Sequence, residues 1–124
     1  MRVRLLLAVP VIAAAALLAA AAAGRTPATG QWNGSWSTSK GAMTLVQKGS
    51  RVTGTYFHDD GKIEGTAIGL TFSGRWSEEP TYAGPGDAGP VVLQIDLSGL
   101  QFKGKWAYEG QTPSRSWTGI RAET

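Results

Sequence analysis

The side chains able to act in acid–base or metal chemistry are few. The chain has one histidine, His58, and no cysteine. His58 is followed by Asp59, Asp60 and Gly61, which combine one imidazole with two carboxylates. An Asp-Gly pair is first of all a hairpin-turn signal, because glycine adopts positive φ without strain. We therefore interpret the segment as a turn and predict no metal site.

The sequence assembles no catalytic set, and we expect the protein not to be an enzyme. There is no cysteine nucleophile and no second histidine to act as a general base. Glu78 and Glu79 are adjacent, so in a strand they point to opposite faces and do not form a carboxylate pair. An enzyme built on Glu78, His58 and Tyr108 is the weaker alternative. No cofactor is indicated.

From residue 31 onward, short β-prone segments alternate with glycine-marked turns, without a helical period. Short links make neighbouring strands pair antiparallel, which predicts an all-β, eight-stranded up-and-down meander barrel. A closed barrel suits a small cysteine-free domain because it leaves no unpaired strand edge. The predicted strands are residues 31–38, 42–48, 51–58, 62–67, 70–78, 91–97, 100–108 and 115–122.

A Gly-x-aromatic pattern recurs in the odd-numbered strands, and it sets which residues face inward. Odd strands of a meander run in the same direction, so the copies should lie at one height around the barrel. With these residues inward, alternation places apolar residues inside and polar residues outside. The copies begin at Gly34, Gly54, Gly74 and Gly104, with Trp36, Tyr56, Trp76 and Trp106 as aromatics. The other predicted inward residues are Met43, Leu45, Val52, Ile63, Leu70, Phe72, Leu93, Ile95, Leu97, Phe102, Trp117 and Gly119.

The last inward positions of the odd strands should meet at one mouth of the barrel. Aromatic walls with a few polar groups at the rim are what a small-molecule pocket requires. The alternative is that the rings fill the interior, as side chains do in small eight-stranded barrels. The predicted ligand-binding residues are Thr38, Tyr56, His58, Glu78, Tyr108, Trp76 and Trp106.

A loop rich in proline and glycine, residues 79–90, separates the fifth and sixth predicted strands and leaves from the same mouth. So long a loop in a small domain is functional or mobile. Proline and glycine favour an extended, exposed loop that could insert into the cleft of a partner. A plain connector is the simpler interpretation of the loop taken by itself.

The N-terminus is typical of an export signal. Arg2 and Arg4 precede an uncharged apolar run, residues 5–23, which ends in alanines before Gly24. This predicts a signal helix cleaved after Ala23. An uncleaved anchor is the alternative, because the run is long enough to span a bilayer. We thus predict a signal peptide at 1–23, a flexible segment at 24–30 and a barrel at 31–122, secreted or periplasmic.

The charge remaining after cleavage argues against nucleic acid as a partner. Removing Arg2 and Arg4 leaves ten basic and nine acidic residues, a net charge of +1. No cluster of lysine and arginine remains that would follow a phosphate backbone. The expected partner is a small molecule or an extracellular protein. Contact with a membrane is expected only through the signal segment, if it stays uncleaved.

An N-terminal Gly-x-Trp, eight meandering strands and an arginine in the last strand resemble the calycin superfamily, which includes lipocalins, fatty-acid-binding proteins and avidins. The matching residues are Trp36 and Arg121. The resemblance implies that Arg121 packs across the Trp36 ring at the closed end of the barrel, partly as a cation–π contact. The sequence around strands one to three is most similar to avidins.

The resemblance does not extend to biotin recognition. Tyr56 matches a ligand-contacting tyrosine of avidins, but Thr38 and Ala42 stand where asparagine and serine would be expected. His58 stands where a serine is usual. Unpaired ligand groups in a buried site cost about 1–3 kcal/mol each. We therefore expect a different, partly apolar ligand in the mouth. The alternative is a protein-interaction or inhibitor barrel with a packed interior, acting through residues 79–90.

Overall fold

The computed structural model describes residues 31–122. Its strands form a closed barrel in which each pairs antiparallel with its neighbour in the chain, so the predicted eight-stranded up-and-down meander is confirmed. The first and last strands close the barrel, pairing Trp36–Thr38 with Gly119–Arg121. The strands are β1 (Gly34–Thr38), β2 (Gly41–Lys48), β3 (Arg51–Tyr56), β4 (Gly61–Ile68), β5 (Thr71–Ser77), β6 (Ala88–Ile95), β7 (Gln101–Trp106) and β8 (Arg115–Arg121).

The predicted signal peptide, residues 1–23, and the predicted flexible segment, 24–30, lie outside the described residues. Between residues 31 and 122, the one helical element is a single 3₁₀ turn, His58–Asp60. No helix in this part of the chain is long and apolar enough to cross a membrane.

Strand alternation puts the apolar phase of the sequence inside the barrel. Val52, Phe72 and Leu93, for example, are fully buried. The predicted inward position of Leu97 is wrong, because its side chain is 90% exposed. The strand ends at Ile95, and the Asp96 carboxylate accepts hydrogen bonds from backbone N–H groups of the next turn. This turn places Leu97 at its tip, beyond the alternation of the sheet.

Three of the four glycines of the Gly-x-aromatic repeat lie where neighbouring strands approach each other closely. A Cβ atom at Gly54, Gly74 or Gly104 would overlap a backbone carbonyl oxygen of the adjacent strand. Gly74 on β5 is paired with Gly65 on β4, so two glycines lie opposite each other in this pair of strands. The repeat therefore provides for the tight coiling of a small barrel, which side chains at these positions would prevent.

Arg121 and Trp36 come together at the closed end. The guanidinium lies 4.3 Å from the Trp36 ring centroid. Its three nitrogens donate hydrogen bonds to the backbone carbonyls of Gly99, Asn33 and Gln31, at 2.9, 2.6 and 2.6 Å. One side chain thereby ties the β6–β7 turn to the segment that precedes β1.

Trp32 fills the closed end from inside. Its ring is buried and packs against Phe72 and Phe102, each with a centroid distance of 5.9 Å. The first predicted strand, 31–38, is too long at its start, because β1 begins at Gly34. Gly34 has φ of +120°, a conformation that L-residues rarely adopt. The chain turns there, and Trp32 folds back across the base of the barrel.

The predicted loop at 79–90 is shorter and more ordered than expected. Its last three residues belong to β6, which begins at Ala88. The connection between β5 and β6, residues 78–87, is called the mouth loop below. Tyr82 N–H donates to the Glu78 carbonyl at 2.8 Å, and the Thr81 hydroxyl donates to the Asp87 carboxylate at 2.7 Å. These internal bonds make the loop a compact turn, so the expectation of an extended loop is wrong.

Candidate functional site

The predicted site residues differ in how deeply they lie in the mouth of the barrel. The mouth is the end opposite Trp32, and it carries the β1–β2 turn, the His58–Asp60 turn and the mouth loop. Tyr56, Trp76 and Glu78 are buried there, whereas His58 is exposed. The others, Thr38, Trp106 and Tyr108, are half-buried.

A buried carboxylate lies at the centre of the mouth. Glu78 is only 7% exposed, and its Oε2 atom accepts a hydrogen bond of 2.7 Å from the Tyr56 hydroxyl. Tyr56 is buried as well, with its ring edge-on to Trp117 at a centroid distance of 5.0 Å. Burial is the main cause that raises the pKa of Tyr56 far above its ordinary value, and the bond to Glu78 adds to it. The pair therefore holds a neutral phenol against a carboxylate.

We expect alkaline pH to destabilise the wild-type protein more than a Tyr56→Phe variant. The folded-state pKa of Tyr56 exceeds the unfolded-state value, so its stabilisation is complete below about pH 10 and is lost as pH rises toward the folded-state pKa. The free energy of unfolding should fall by up to about 1.4 kcal/mol per pH unit more steeply in wild type. Urea titrations on both sides of this pH measure the difference. Parallel pH profiles for the two proteins would contradict a buried, neutral Tyr56.

Lys40 is a residue of the mouth that sequence analysis missed. It lies in the β1–β2 turn, where lysine is an ordinary surface residue, and no sequence signal distinguishes it. In the structure its side chain is 13% exposed and turns inward over the barrel. The Nζ atom lies 3.7 Å from Glu78 Oε2, an ion pair longer than a hydrogen bond.

Three indole rings surround the Lys40 ammonium group, and we call Trp76, Trp106 and Trp117 the aromatic cage. The Nζ atom is 4.2 Å from the Trp106 centroid, 5.5 Å from Trp117 and 5.8 Å from Trp76. All three distances fall within the range of cation–π attraction. The cage rings come from β5, β7 and β8, so the barrel wall fixes their spacing.

Contacts behind the cage keep its rings in place. Trp76 donates its Nε1–H to the Ala107 carbonyl at 3.0 Å. The rings of Trp76 and Trp106 meet edge-on at 5.3 Å, and Tyr108 packs edge-on against both. The Arg115 guanidinium lies 5.5 Å from the Trp106 centroid. Trp76 and Trp106 are therefore held by contacts that do not involve Lys40.

Thr38 shapes the turn that carries Lys40. Its hydroxyl donates to the Gly41 carbonyl at 2.7 Å and accepts from the Lys40 backbone N–H at 3.0 Å. The Ser39 N–H is bonded to the Thr118 carbonyl on β8. These bonds hold the turn backbone against the barrel rim, so Thr38 positions Lys40 and uses its own hydroxyl within the turn.

His58 does not continue β3 inward as the sequence predicted. The strand ends at Tyr56, and His58 begins the 3₁₀ turn, with its side chain more than half exposed. Positive φ occurs at Asp59 and Asp60, rather than at Gly61 as a hairpin signal would suggest. Gly61 serves a different purpose, because the Tyr56 ring occupies the place where its Cβ would be.

His58, Asp59 and Glu78 are the residues that could hold a metal. Their nearest ligand atoms lie within 4.8 Å of one another, with His58 Nε2 at 3.3 Å from Asp59 Oδ2 and 4.0 Å from Glu78 Oε1. Two of the three are surface residues of one turn, and Glu78 already binds Tyr56 and Lys40. The cluster therefore extends the polar rim of the mouth.

The aromatic cage is filled by Lys40, and two large grooves lie elsewhere. One of about 1050 Å³ crosses the surface of β6, β7, β8 and β1, and one of about 330 Å³ lies beside Tyr82. Neither groove is lined by Lys40, Glu78 or a cage ring. A ligand in the mouth would thus enter where Lys40 now lies.

The closed, eight-stranded antiparallel barrel is compatible with a calycin-like fold. Comparison of the chain with protein-family models, curated proteins and solved structures finds no match.

Proposed function

We propose that this protein is an exported, non-catalytic barrel that binds a small, partly apolar ligand at its mouth. The observation that carries the proposal is the buried Glu78 carboxylate beside the Lys40 ammonium group, which the aromatic cage surrounds. Apolar residues in place of a buried ion pair are often at least as stabilising, so stability alone gives weak reason to keep a charge there. Aromatic walls around a few convergent polar groups are typical of small-molecule sites.

The geometry of the rim supports the same function. Trp106 and Tyr108 are only half-buried, so ring surface remains within reach of a ligand at the barrel opening. The Phe57 side chain, at the end of β3, is 80% exposed beside this opening. Aromatic side chains have few rotatable bonds, so holding them against a ligand costs little side-chain entropy.

A calycin relationship is part of the proposal. The closed-end contact between Arg121 and Trp36 supports it, as does the strand order. The mouth argues against biotin as the ligand, since the Thr38 hydroxyl is used within its turn and Ala42 offers no polar side chain.

Native mass spectrometry tests the proposal directly. The full chain is expressed in its own host, and the purified protein is transferred to the gas phase without denaturation. We expect a small-molecule adduct on wild type that is lost in Glu78→Gln, because the neutral amide no longer presents a charge beside the cage. Thr55→Ala, a change at an exposed position of β3 outside the mouth, should retain the adduct.

A bare mass for the wild type, together with unchanged tryptophan emission on addition of an uncharged apolar dye, would overturn ligand binding in the mouth. An adduct retained by both variants would show that binding does not depend on the Glu78 charge, and would remove the observation on which the proposal rests.

A second candidate is a protein-interaction barrel acting through the mouth loop. The observation that favours it is the hydrogen bonding of this loop, both within itself and to the neighbouring His58–Asp60 turn. Glu79 N–H donates to the Asp59 carbonyl at 3.0 Å, and the Tyr82 hydroxyl donates to the Asp60 carbonyl at 2.9 Å. An exposed loop that is already ordered loses little entropy on binding a partner. A bare mass in the experiment above would favour this candidate.

A further inference from the structure

We propose that the ligand of the mouth carries an organic cation, an alkylammonium group, and that Lys40 occupies its place until it binds. This inference rests on the proposed ligand-binding function and names the chemical class of the ligand. Three indole rings and one carboxylate converge on a single positive charge, Lys40 Nζ. Aromatic faces with a nearby carboxylate are the chemistry that recognises ammonium groups.

The way in which the cage holds Lys40 favours an alkylated ammonium group. The nearest carboxylate oxygen, Glu78 Oε2, is 3.7 Å from Nζ, too far for a hydrogen bond. The attraction there is electrostatic, from the Glu78 charge and from the ring faces. A trimethylammonium group has no N–H to donate and spreads its charge over methyl groups, so it would lose nothing on replacing the lysine.

Lys40 can leave the cage without any change to the barrel. Its backbone is fixed in the β1–β2 turn by the Thr38 hydroxyl and by the bond from Ser39 to Thr118. The lysine side chain is a flexible four-carbon stem with a strongly hydrated end, so rotation about its own torsions takes the charge into water. Each cage ring also has a contact that does not involve Lys40: the Ala107 carbonyl bonds Trp76, Tyr108 packs on Trp106 and Tyr56 packs on Trp117.

Once Lys40 has left the cage, the negative charge of Glu78 requires another cation nearby. When Lys40 is outside, Glu78 remains buried, with the Tyr56 hydroxyl as its bonded partner and His58 Nε2 at 4.0 Å. A neutral ligand would leave this carboxylate without a close ammonium group, and an anionic ligand would be repelled by it. A cation restores the present arrangement. Lys40 is therefore an intramolecular competitor that lowers the apparent affinity for the external cation.

The test compares choline with 3,3-dimethyl-1-butanol, a neutral alcohol of the same shape. Binding is followed by NMR through the indole N–H signals. In Lys40→Ala we expect choline affinity to rise about tenfold over wild type, because the internal competitor is gone. Affinity for the alcohol should change much less. Adding Glu78→Gln to Lys40→Ala should abolish the preference for choline.

Lys62→Ala is the matched control, since Lys62 Nζ also lies over a ring, that of Tyr82 at 4.7 Å, but outside the cage. It should bind choline as wild type does. If Lys40→Ala does not fold, as judged by circular dichroism, the comparison becomes wild type against Glu78→Gln, in which choline affinity must fall. Equal affinities for choline and the alcohol, or no effect of Glu78→Gln, would overturn the inference.

The two proposals fail in different ways. A retained native ligand without a cationic group, together with no choline binding, would overturn the cation site and leave the ligand-binding function standing. A bare native mass, with neither choline nor the alcohol binding to any variant, would overturn both.

Discussion

Trp32→Ala is expected to lower the free energy of unfolding by about 3–5 kcal/mol, the usual cost of truncating a large buried aromatic residue. Trp32 is the inner plug of the closed end and packs on Trp36, Phe72 and Phe102. Removing its indole leaves a cavity bounded by these rings. The strands around the cavity are joined by backbone hydrogen bonds, so they can collapse only partly to fill it. Chemical denaturation followed by tyrosine and tryptophan emission measures the loss.

A Trp32→Phe variant separates the packing of the Trp32 ring from the effect of its indole N–H group. Within residues 31–122, the indole Nε1 of Trp32 has no hydrogen-bond partner. Phenylalanine therefore gives up ring volume but no hydrogen bond, and it should cost much less than alanine. If both substitutions cost the same, the role of Trp32 does not depend on filling the closed end.

Gly74→Ala should destabilise the protein by about 3 kcal/mol, toward the upper end of the cost of overpacking. The added methyl group would overlap the Glu64 carbonyl oxygen on β4 and would also meet the Phe72 ring. The carbonyl belongs to the backbone and cannot rotate away as a side chain could. Relief requires β4 and β5 to separate at the position where Gly74 is paired with Gly65.

Gly86→Ala is the control for this effect. Gly86 lies in the mouth loop, and a Cβ there meets no atom within 4 Å. Its stability should stay close to that of wild type, as measured by urea unfolding in parallel with Gly74→Ala. A Gly74→Ala variant as stable as this control would show that β4 and β5 do not approach as closely as described.

Most of the barrel could be predicted because the signals for its strands and turns lie close together in the sequence. Turn glycines mark the strand ends, and alternation with the Gly-x-aromatic repeat sets the inner face. The repeat glycines Gly54, Gly74 and Gly104 lie at equivalent close approaches of neighbouring strands. A periodic sequence signal thus corresponds to a periodic steric requirement.

The residues whose place alternation could not decide, or decided wrongly, lie where a strand stops. Trp32 was left without a predicted place; it precedes β1, next to the turn at Gly34. Leu97 has the apolar character of a core residue but follows the end of β6. His58 comes after the end of β3, in a turn with φ of 47° at Asp59. In each case a local change of backbone direction, which composition does not encode, decides where the side chain goes.

Lys40, the cation at the centre of the site, could not be predicted either, and the reason is a different one. Lys40 belongs to a turn, and its inward direction depends on three rings from distant strands and on Glu78. Side chains from distant strands that meet in this way leave no recognisable pattern in the sequence. The role of Glu78 as an inward residue at the mouth was accessible from alternation, but its bond to Tyr56 was not.

The seam between β1 and β8 has a consequence for how the barrel folds. Every other pair of neighbouring strands is consecutive in the chain and joined by ten residues or fewer, so these pairs can form before the seam. The seam joins opposite ends of the domain through the short stretch Trp36–Thr38, and its loop-closure entropy is the largest in the fold. We expect it to form last and to open first. The Arg121 side chain bonds the β6–β7 turn to the segment before β1, so we expect it to stabilise the seam once the seam has closed.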